Sequence, residues 1–198
     1  RPKHLLIVGG GVFQVPAIKI AQSMGLKVVV TDYNPEAEGM LLADYPIEVS
    51  TRNINLTVNT AKQFHRTCPL DGVLTVGTDA SQTVAAVADA LNLPGIPFEV
   101  AERATDKIKM RQVLQEKGVP VPAFRPIWTL EDCRQAIDNI PLPLVIKPCD
   151  NMGARGVRKI ESIDDLVPAF REAKEASISG KLILEEFMEG VELSLDAL

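Results

Sequence analysis

The sequence predicts an α/β protein in which a doubly wound parallel sheet is followed by a small α+β lobe. Three observations support this prediction. Two short apolar runs, at 4–8 and 27–31, flank a helical pattern at the separation that a parallel crossover requires. Helical and apolar segments then alternate up to Leu91. Beyond the proline-spaced segment at 119–122, short strands with intervening helices replace that order.

The first part of the chain predicts a βαβ unit and its continuation. A strand at 4–8 meets the turn Gly9-Gly10-Gly11, and a helix then leads to a second strand that ends at Asp32. The pattern continues with a helix at 54–64, a buried strand at 72–76 and a helix at 84–91.

The second part predicts helices and four short strands. The helices begin near Ala101 and at Asp106, and the strands lie at 123–128, 144–147, 156–160 and 182–187. Thr129 and Ser162 each begin a capping pattern. One apolar helical stripe is formed by Ile163, Leu166, Val167, Phe170 and Ala173. We predict domains at 1–104 and 123–198, joined by a helical linker at 105–122.

Composition excludes several classes of function. A net charge of -5 argues against nucleic-acid binding, and no apolar run approaches the roughly 20 residues that cross a bilayer. We therefore expect neither nucleic acid nor membrane as a partner, and a cytoplasmic location. The three cysteines form no CxxC pair and predict reduced thiols. Cys149 has no histidine near it in sequence, which argues against a nucleophilic thiol.

A strand-borne lysine followed by a glycine-containing loop is the first candidate site. The strand delivers Lys147, and the loop carries Gly153, Ala154, Arg155 and Gly156. Glycines let backbone N–H groups approach anionic oxygens, while lysine supplies a point charge and arginine a planar donor fork. The alternative is a hairpin turn whose basic side chains face water. A Walker loop is absent from the sequence.

The second candidate site is an apolar strand that runs into an acidic turn. Its residues are Glu185, Glu186, Phe187, Met188 and Glu192. Backbone groups at the strand end could pair with a purine edge, the two large apolar side chains could cover the ring, and Glu192 could accept from ribose hydroxyls. The alternative is a set of glutamates that solvates a sheet edge.

These two segments, with Asp106 and Lys107 upstream, resemble the nucleotide site of the ATP-grasp superfamily. Biotin carboxylase and carbamoyl phosphate synthetase are members of that superfamily to which the sequence is similar. The N-terminal βαβ block resembles the pre-ATP-grasp domain. The resemblance implies that Lys107 and Lys147 contact the α-phosphate region of ATP. It also implies that residues 153–156 form a lid, that residues 185–188 form the adenine hinge, and that Glu192 holds the ribose. The loop lacks the glycine run of biotin carboxylase, which makes that chemistry less favoured.

The resemblance also implies the reaction. The carboxylate of a small substrate is phosphorylated by ATP, and an amine or similar nucleophile attacks the resulting acyl phosphate. Arg155 is implied as the catalytic residue, since it would neutralise charge on the transferred phosphoryl group. The Mg²⁺ ligands are expected beyond Leu198, so residues 1–198 alone are expected to fold, to lack ligase activity and to bind ATP weakly or not at all. Oligomeric state stays open, with a homodimer as one alternative.

Each of three further features has two possible interpretations. Lys107 lies in a helix with other basic residues and would by itself be a solvated charge; only the resemblance makes it a ligand. Gly10 and Gly11 form either a substrate-binding helix N-terminus or a tight structural turn. Thr78 and Asp79 either contact substrate or cap a helix, and capping is favoured.

A nicotinamide-dependent oxidoreductase is the main alternative from another class of protein. It is suggested by the glycine turn and by Asp32 at the end of the second strand. A GxGxxG motif starting at Gly9 would require glycine where Gln14 stands. A third alternative is a non-catalytic nucleotide-binding module of a larger synthetase.

Overall fold

The chain forms two compact units, divided between Glu102 and Arg103. A computed structural model describes residues 1–193 and 195. The domain boundaries that the sequence suggests, at residues 104 and 122, stay predictions. None of the helices in the described part of the chain combines the length and the apolar character needed to span a bilayer.

The first unit is built on a four-stranded parallel sheet, as predicted. Its strands are β1 (His4–Val8), β2 (Lys27–Asp32), β3 (Tyr45–Glu48) and β4 (Leu70–Leu74), in the spatial order β3-β2-β1-β4. Its helices are α1 (Val15–Ser23), α2 (Glu38–Leu42), α3 (Ile54–Thr67) and α4 (Ser81–Leu91), followed by α5 (Phe98–Thr105) across the division.

Helices cover both faces of this sheet. On one face, Ile7 and Val30 pack with Ile18 of α1 and Met40 of α2. The opposite face joins Leu6, Val8 and Val29 to α3 and α4. Because alternate side chains of each strand enter two different cores, the strands are apolar along almost their whole length. This is the doubly wound arrangement.

The sequence did not predict β3 or α2, and it placed β4 two residues too late. β3 lies at the edge of the sheet, contains Pro46 and exposes most of its side chains, so it lacks the apolar signal of a central strand. The strand predicted at 72–76 ends at Leu74. Thr75, the next residue, donates a hydrogen bond from its Oγ1 atom to Val8 O at 2.6 Å.

The second unit contains a four-stranded antiparallel sheet. Its strands are β5 (Phe124–Ile127), β6 (Leu144–Pro148), β7 (Arg158–Ile160) and β8 (Leu182–Glu186), in the order β5-β8-β6-β7. Its helices are α6 (Lys107–Glu116), α7 (Leu130–Ile137) and α8 (Leu166–Ala176). One face of the sheet packs on α7 and α8, with Leu144, Ile146 and Leu184 at the centre.

Local signals in this unit are largely confirmed. The capping pattern at Thr129 is a complete capping box, and the Ser162 backbone N–H donates to the Asp165 carboxylate at 2.9 Å. The predicted stripe on α8 is wrong at Ile163, which is 67% exposed. Ile163 belongs to the 3-10 turn before the helix, where the helical spacing does not yet apply.

Candidate functional site

The second face of the antiparallel sheet brings Lys147 and Glu185 together. Glu185 pairs with Val145 in the register of β6 and β8, so Lys147 lies two residues further along β6 on the same face. The Lys147 Nζ atom lies 2.6 Å from Glu185 Oε2. The Glu185 side chain is 5% exposed, so this ion pair is largely removed from water.

Helix α6 lies over this face and supplies two more basic side chains. Asp106 caps the helix and accepts from the N–H groups of Ile108 and Lys109 at 2.9 and 3.1 Å. Ile108 packs into a small apolar cluster with Phe124, Cys149 and Ile183. The Asp106 cap therefore fixes the residue at which α6 begins, and the packing of Ile108 fixes which side of α6 faces the sheet.

Lys107 and Arg111 are one helical turn apart, on the face that this packing directs to the sheet. The Arg111 Nε atom donates to Glu185 Oε1 at 2.8 Å, and its Nη2 atom donates to Glu185 Oε2 at 3.3 Å. The Lys107 Nζ atom donates to the carbonyl of Asn151 at 2.5 Å. We name Lys107, Arg111, Lys147 and Glu185 the basic cluster.

The electrostatics of the basic cluster are set by one carboxylate among three cations. Burial alone would raise the pKa of Glu185, but hydrogen bonds from Arg111 and Lys147 outweigh burial and hold that pKa below its usual value. Burial lowers the pKa of Lys107, and the positive charge of Lys147 lowers it further. The cluster therefore carries excess positive charge, which suits an anionic ligand.

The β6–β7 loop, residues 149–157, is anchored where it leaves β6. The Asp150 carboxylate accepts from the Ser177 hydroxyl at 3.1 Å and from the Ser179 N–H at 2.5 Å. The Asn151 side chain, buried among its neighbours, donates to the carbonyl of Ala176. Both contacts tie the start of the loop to the connection between α8 and β8.

The loop itself has the left-handed backbone that its glycines permit. Gly153, Ala154 and Gly156 have φ angles of 68°, 57° and 72°. Arg155 is exposed, and its Nε atom donates to the carbonyl of Met152 at 3.2 Å, so this side chain folds back on its own loop. The roles of these residues over phosphate stay predictions.

The end of β8 offers backbone groups beyond the sheet. Glu186 N–H donates to Ala123 O at 2.8 Å, and Phe187 N–H donates to Pro143 O at 3.1 Å. Met188 is exposed, and its N–H has no acceptor among the described residues. Lys159 Nζ lies 4.3 Å from the centroid of the Phe187 ring. Glu192 is exposed, and its ribose role stays a prediction.

The glycine turn of the first unit has a structural explanation. Gly10 N–H donates to Asp32 Oδ2 at 2.8 Å, and Gly10 O accepts from Gly39 N–H at 2.6 Å. A Cβ atom on Gly10 would lie 2.9 Å from the Met40 side chain. Asp32 therefore holds the turn, which accounts for its position at the end of β2.

Gln14 occupies the space beside this turn. Its side chain is buried, donates to the carbonyl of Val76, and lies 3.3 Å from the site of a Cβ atom on Gly9 or on Gly11. A bulky side chain thus stands where the dinucleotide motif requires glycine. A substrate role for Gly10 and Gly11 stays a prediction.

Helix α4 begins at Ser81 and its N-cap residue is Ala80, so neither Thr78 nor Asp79 is the N-cap residue itself. A capping role for either side chain stays a prediction. The Thr78 methyl group lies near Gly9, 3.2 Å from the site of a Cβ atom there. Contact of Thr78 or Asp79 with substrate stays a prediction.

The cysteines are free thiols in the described residues. Cys149 is buried, and burial together with the nearby carboxylates of Asp106 and Asp150 raises its pKa to about 12. The raised pKa favours the protonated thiol at neutral pH, which argues against a nucleophilic role. The described residues contain no group of three or more acidic, histidine or cysteine side chains that could bind a metal ion.

Sequence reasoning missed Arg111 and the two loop anchors. The i, i+4 spacing of Lys107 and Arg111 was a usable signal, because it places both on one helical face. No local signal identified Asp150 and Asn151, since their partners lie at least 25 residues away in the chain.

Comparison with known proteins defines the family to which the chain belongs. The family model described as "ATP-grasp domain" matches residues 104–198, and the family model described as "ATP-grasp N-terminal domain" matches residues 18–95. The chain belongs to the ATP-grasp superfamily.

Several of the proteins that this chain resembles bear the name of a ligase or a synthetase. The D-alanine–D-alanine ligase of Pseudomonas putida (strain GB-1) is 29% identical over 109 residues, which cover 52% of this chain and 34% of that protein. The L-amino acid ligase from Bacillus licheniformis is 26% identical, with a TM-score of 0.74 over 96% of this chain and 45% of that chain. N5-carboxyaminoimidazole synthetase from Staphylococcus aureus, solved with ADP, shares the fold at 21% identity and a TM-score of 0.74 over 94% of this chain and 48% of that chain. The chain thus spans half or less of the length of these proteins.

Proposed function

We propose that the protein is an ATP-dependent ligase that activates a small carboxylate as an acyl phosphate for attack by an amine or a similar nucleophile. In this proposal the chain supplies much of the surface that holds ATP. The observation that carries it is the basic cluster, in which Lys147 pairs with Glu185 on one face of the antiparallel sheet and Lys107 of α6 lies close enough to Lys147 for their charges to interact.

The residues present fit a nucleoside triphosphate. Lys107 and Lys147 supply positive charge for phosphate oxygens. The pKa of Lys107 is lowered by burial and by the nearby charge of Lys147, and a bound anion would offset both effects. Gly153, Ala154 and Gly156 supply the flexible backbone of a lid. Met188 N–H at the end of β8 is a donor suited to an adenine edge.

In the reaction, a carboxylate oxygen of the substrate attacks the γ-phosphorus of ATP, the bond to the β-phosphate oxygen breaks, and ADP leaves. The nucleophile then displaces phosphate from the acyl phosphate. Bound Mg²⁺ would supply charge neutralisation at the phosphates, and the described residues contain no cluster of ligands that would hold it. The chain's own part is electrostatic: it binds and orients the phosphates, with Arg155 as the proposed catalytic side chain.

Two relatives bear the names of amino-acid ligases, which supports amino acids as the first carboxylates to test. We also propose a cytoplasmic location, where ATP is abundant and free thiols such as Cys133 and Cys149 stay reduced.

The first prediction concerns Lys147. In the full-length protein that contains this chain, we expect ATP binding in calorimetry, and we expect Lys147→Ala to weaken it about tenfold or more because a charge-assisted phosphate contact is lost. Lys117→Ala removes an exposed lysine from the end of α6 and serves as the matched control. Full-length protein that binds no ATP would overturn the proposal.

The reaction is tested by ADP release. We expect ADP release to require a carboxylate from a panel that includes amino acids, and product to form only when an amine is also present. ADP release that is independent of every carboxylate and amine tested would contradict ligase activity.

A further inference from the structure

Arg111 and the strand-borne lysine both contact the buried carboxylate of the basic cluster. It approaches from α6 with two donors, Nε to Glu185 Oε1 at 2.8 Å and Nη2 to Glu185 Oε2 at 3.3 Å. Lys147 approaches from β6 and lies 2.6 Å from the same Oε2 atom. One carboxylate is therefore shared between an arginine and a lysine.

This sharing matters because Glu185 is almost fully enclosed. A buried carboxylate that loses its only cation suffers a large desolvation penalty, so a lysine that is its sole partner is held strongly. With Arg111 present, Glu185 keeps a two-point partner whether or not Lys147 stays. Lys147 is then less firmly bound to Glu185.

We propose that Arg111 is a positioning residue that neutralises Glu185 and so allows Lys147 to exchange from Glu185 to a phosphate of the nucleotide. This inference rests on the proposed ATP site. It gives Arg111 a role through Lys147, without contact between Arg111 and ATP. In the resting protein the Lys147–Glu185 pair is closed, and nucleotide binding opens it.

The helix accounts for why this task falls to Arg111. Lys107 is one turn earlier on α6, and its ammonium group donates to the carbonyl of Asn151 rather than to Glu185. The carboxylates of Asp106 and Asp150 accept from backbone N–H groups, whereas Glu185 accepts from both donors of Arg111. The planar guanidinium of Arg111 also offers Glu185 two donors at once.

The first test measures Lys147 without nucleotide. In the full-length protein, each lysine is labelled with a limiting amine reagent and quantified by mass spectrometry, with Lys117 as the internal reference. If Arg111→Met leaves Glu185 to Lys147 alone, the buried carboxylate holds the charged ammonium group of Lys147 more firmly. We then expect the labelling of Lys147 to fall about threefold. Arg111→Lys is expected to restore most of the labelling.

The second test measures exchange with nucleotide. We expect Arg111→Met to weaken ATP binding in calorimetry about tenfold. Adding Glu185→Gln to Arg111→Met removes the charge that retains Lys147, so we expect the double variant to bind ATP more tightly than Arg111→Met, within about threefold of Glu185→Gln alone. Arg171→Met, on the exposed surface of α8, is the matched arginine control and should behave as wild type.

The outcomes separate the two hypotheses. Wild-type protein that binds no ATP overturns the proposed function. Wild-type protein that binds ATP, together with a folded Arg111→Met variant of unchanged Lys147 labelling and unchanged affinity, overturns only the role of Arg111. A double variant that binds ATP as weakly as Arg111→Met would show that Arg111 acts on the nucleotide directly, which also overturns this inference. Thermal melts of every variant establish that it is folded.

Discussion

Two glycines of the β6–β7 loop have nearly the same backbone angle in different surroundings. Gly153 and Gly156 have φ angles of 68° and 72°. A Cβ atom on Gly153 would meet nothing within 4 Å, whereas one on Gly156 would lie 2.5 Å from the Cβ atom of Ala176. The pair therefore separates backbone strain from steric overlap.

The glycine prediction follows from that difference. Gly153→Ala should cost about 1 kcal/mol of unfolding free energy, the cost of a left-handed backbone for a residue with a Cβ atom. Gly156→Ala adds overlap with α8 and should cost about 1–3 kcal/mol more. Urea unfolding of the two variants beside wild type measures the difference, and equal costs would contradict the steric account.

Ala154 has a φ angle of 57° between these two glycines. A residue with a Cβ atom in this conformation stores strain of the kind that occurs at functional loops. The family resemblance implied that this position belongs to the lid, and the positive φ angle adds a physical observation at the same residue.

At the scale of elements, the loop depends on a contact with the α8–β8 connection. The Asp150 carboxylate accepts from Ser177, Ile178 and Ser179. Burial opposes its charge, but these hydrogen bonds, led by Ser179, hold its pKa below the usual value. Asp150 therefore stabilises the folded state only while it is ionised.

This gives a pH prediction with a defined sign. Because the folded pKa of Asp150 is depressed, its stabilisation is complete above the unfolded pKa of about 3.9 and is lost as pH falls through the lower folded value. Asp150→Asn should thus be less stable than wild type at pH 7, and the difference should shrink below about pH 4. Urea unfolding across pH 3 to 7 measures it, and a gap that stays constant with pH would exclude the ionised carboxylate as the cause.

At the scale of the whole molecule, each unit has its own core. Leu166 of α8 is buried in the core beneath the antiparallel sheet, and Ile18 of α1 is buried against one face of the parallel sheet. Because the two clusters share no residue, loss of packing in one should be felt mainly in that unit.

The core prediction uses these two residues as a matched pair. Leu166→Ala and Ile18→Ala should each cost about 2–5 kcal/mol in their own unit. Hydrogen exchange followed by mass spectrometry should show lost protection in β5–β8 for the first variant and in β1–β4 for the second. Equal loss of protection in both units after either substitution would show that they unfold as one.

Much of the fold was predictable because its signals are local. The apolar runs of β1, β2, β6 and β8, the glycine turn after β1 and the capping box at Thr129 each depend on a few neighbouring residues. Family membership followed from the same short motifs. The weak edge strand β3 and the short helix α2 were missed, since their exposed residues carry little periodic signal.

The sequence by itself determined that Lys147 and Glu185 are carried by strands and that Lys107 begins a helix. Only the tertiary structure decided that β8 lies beside β6, that Lys147 and Glu185 share a face, and that Arg111 reaches the same carboxylate. The physical reason is that strand order and register depend on packing between residues far apart in the chain, where no local period records the partner.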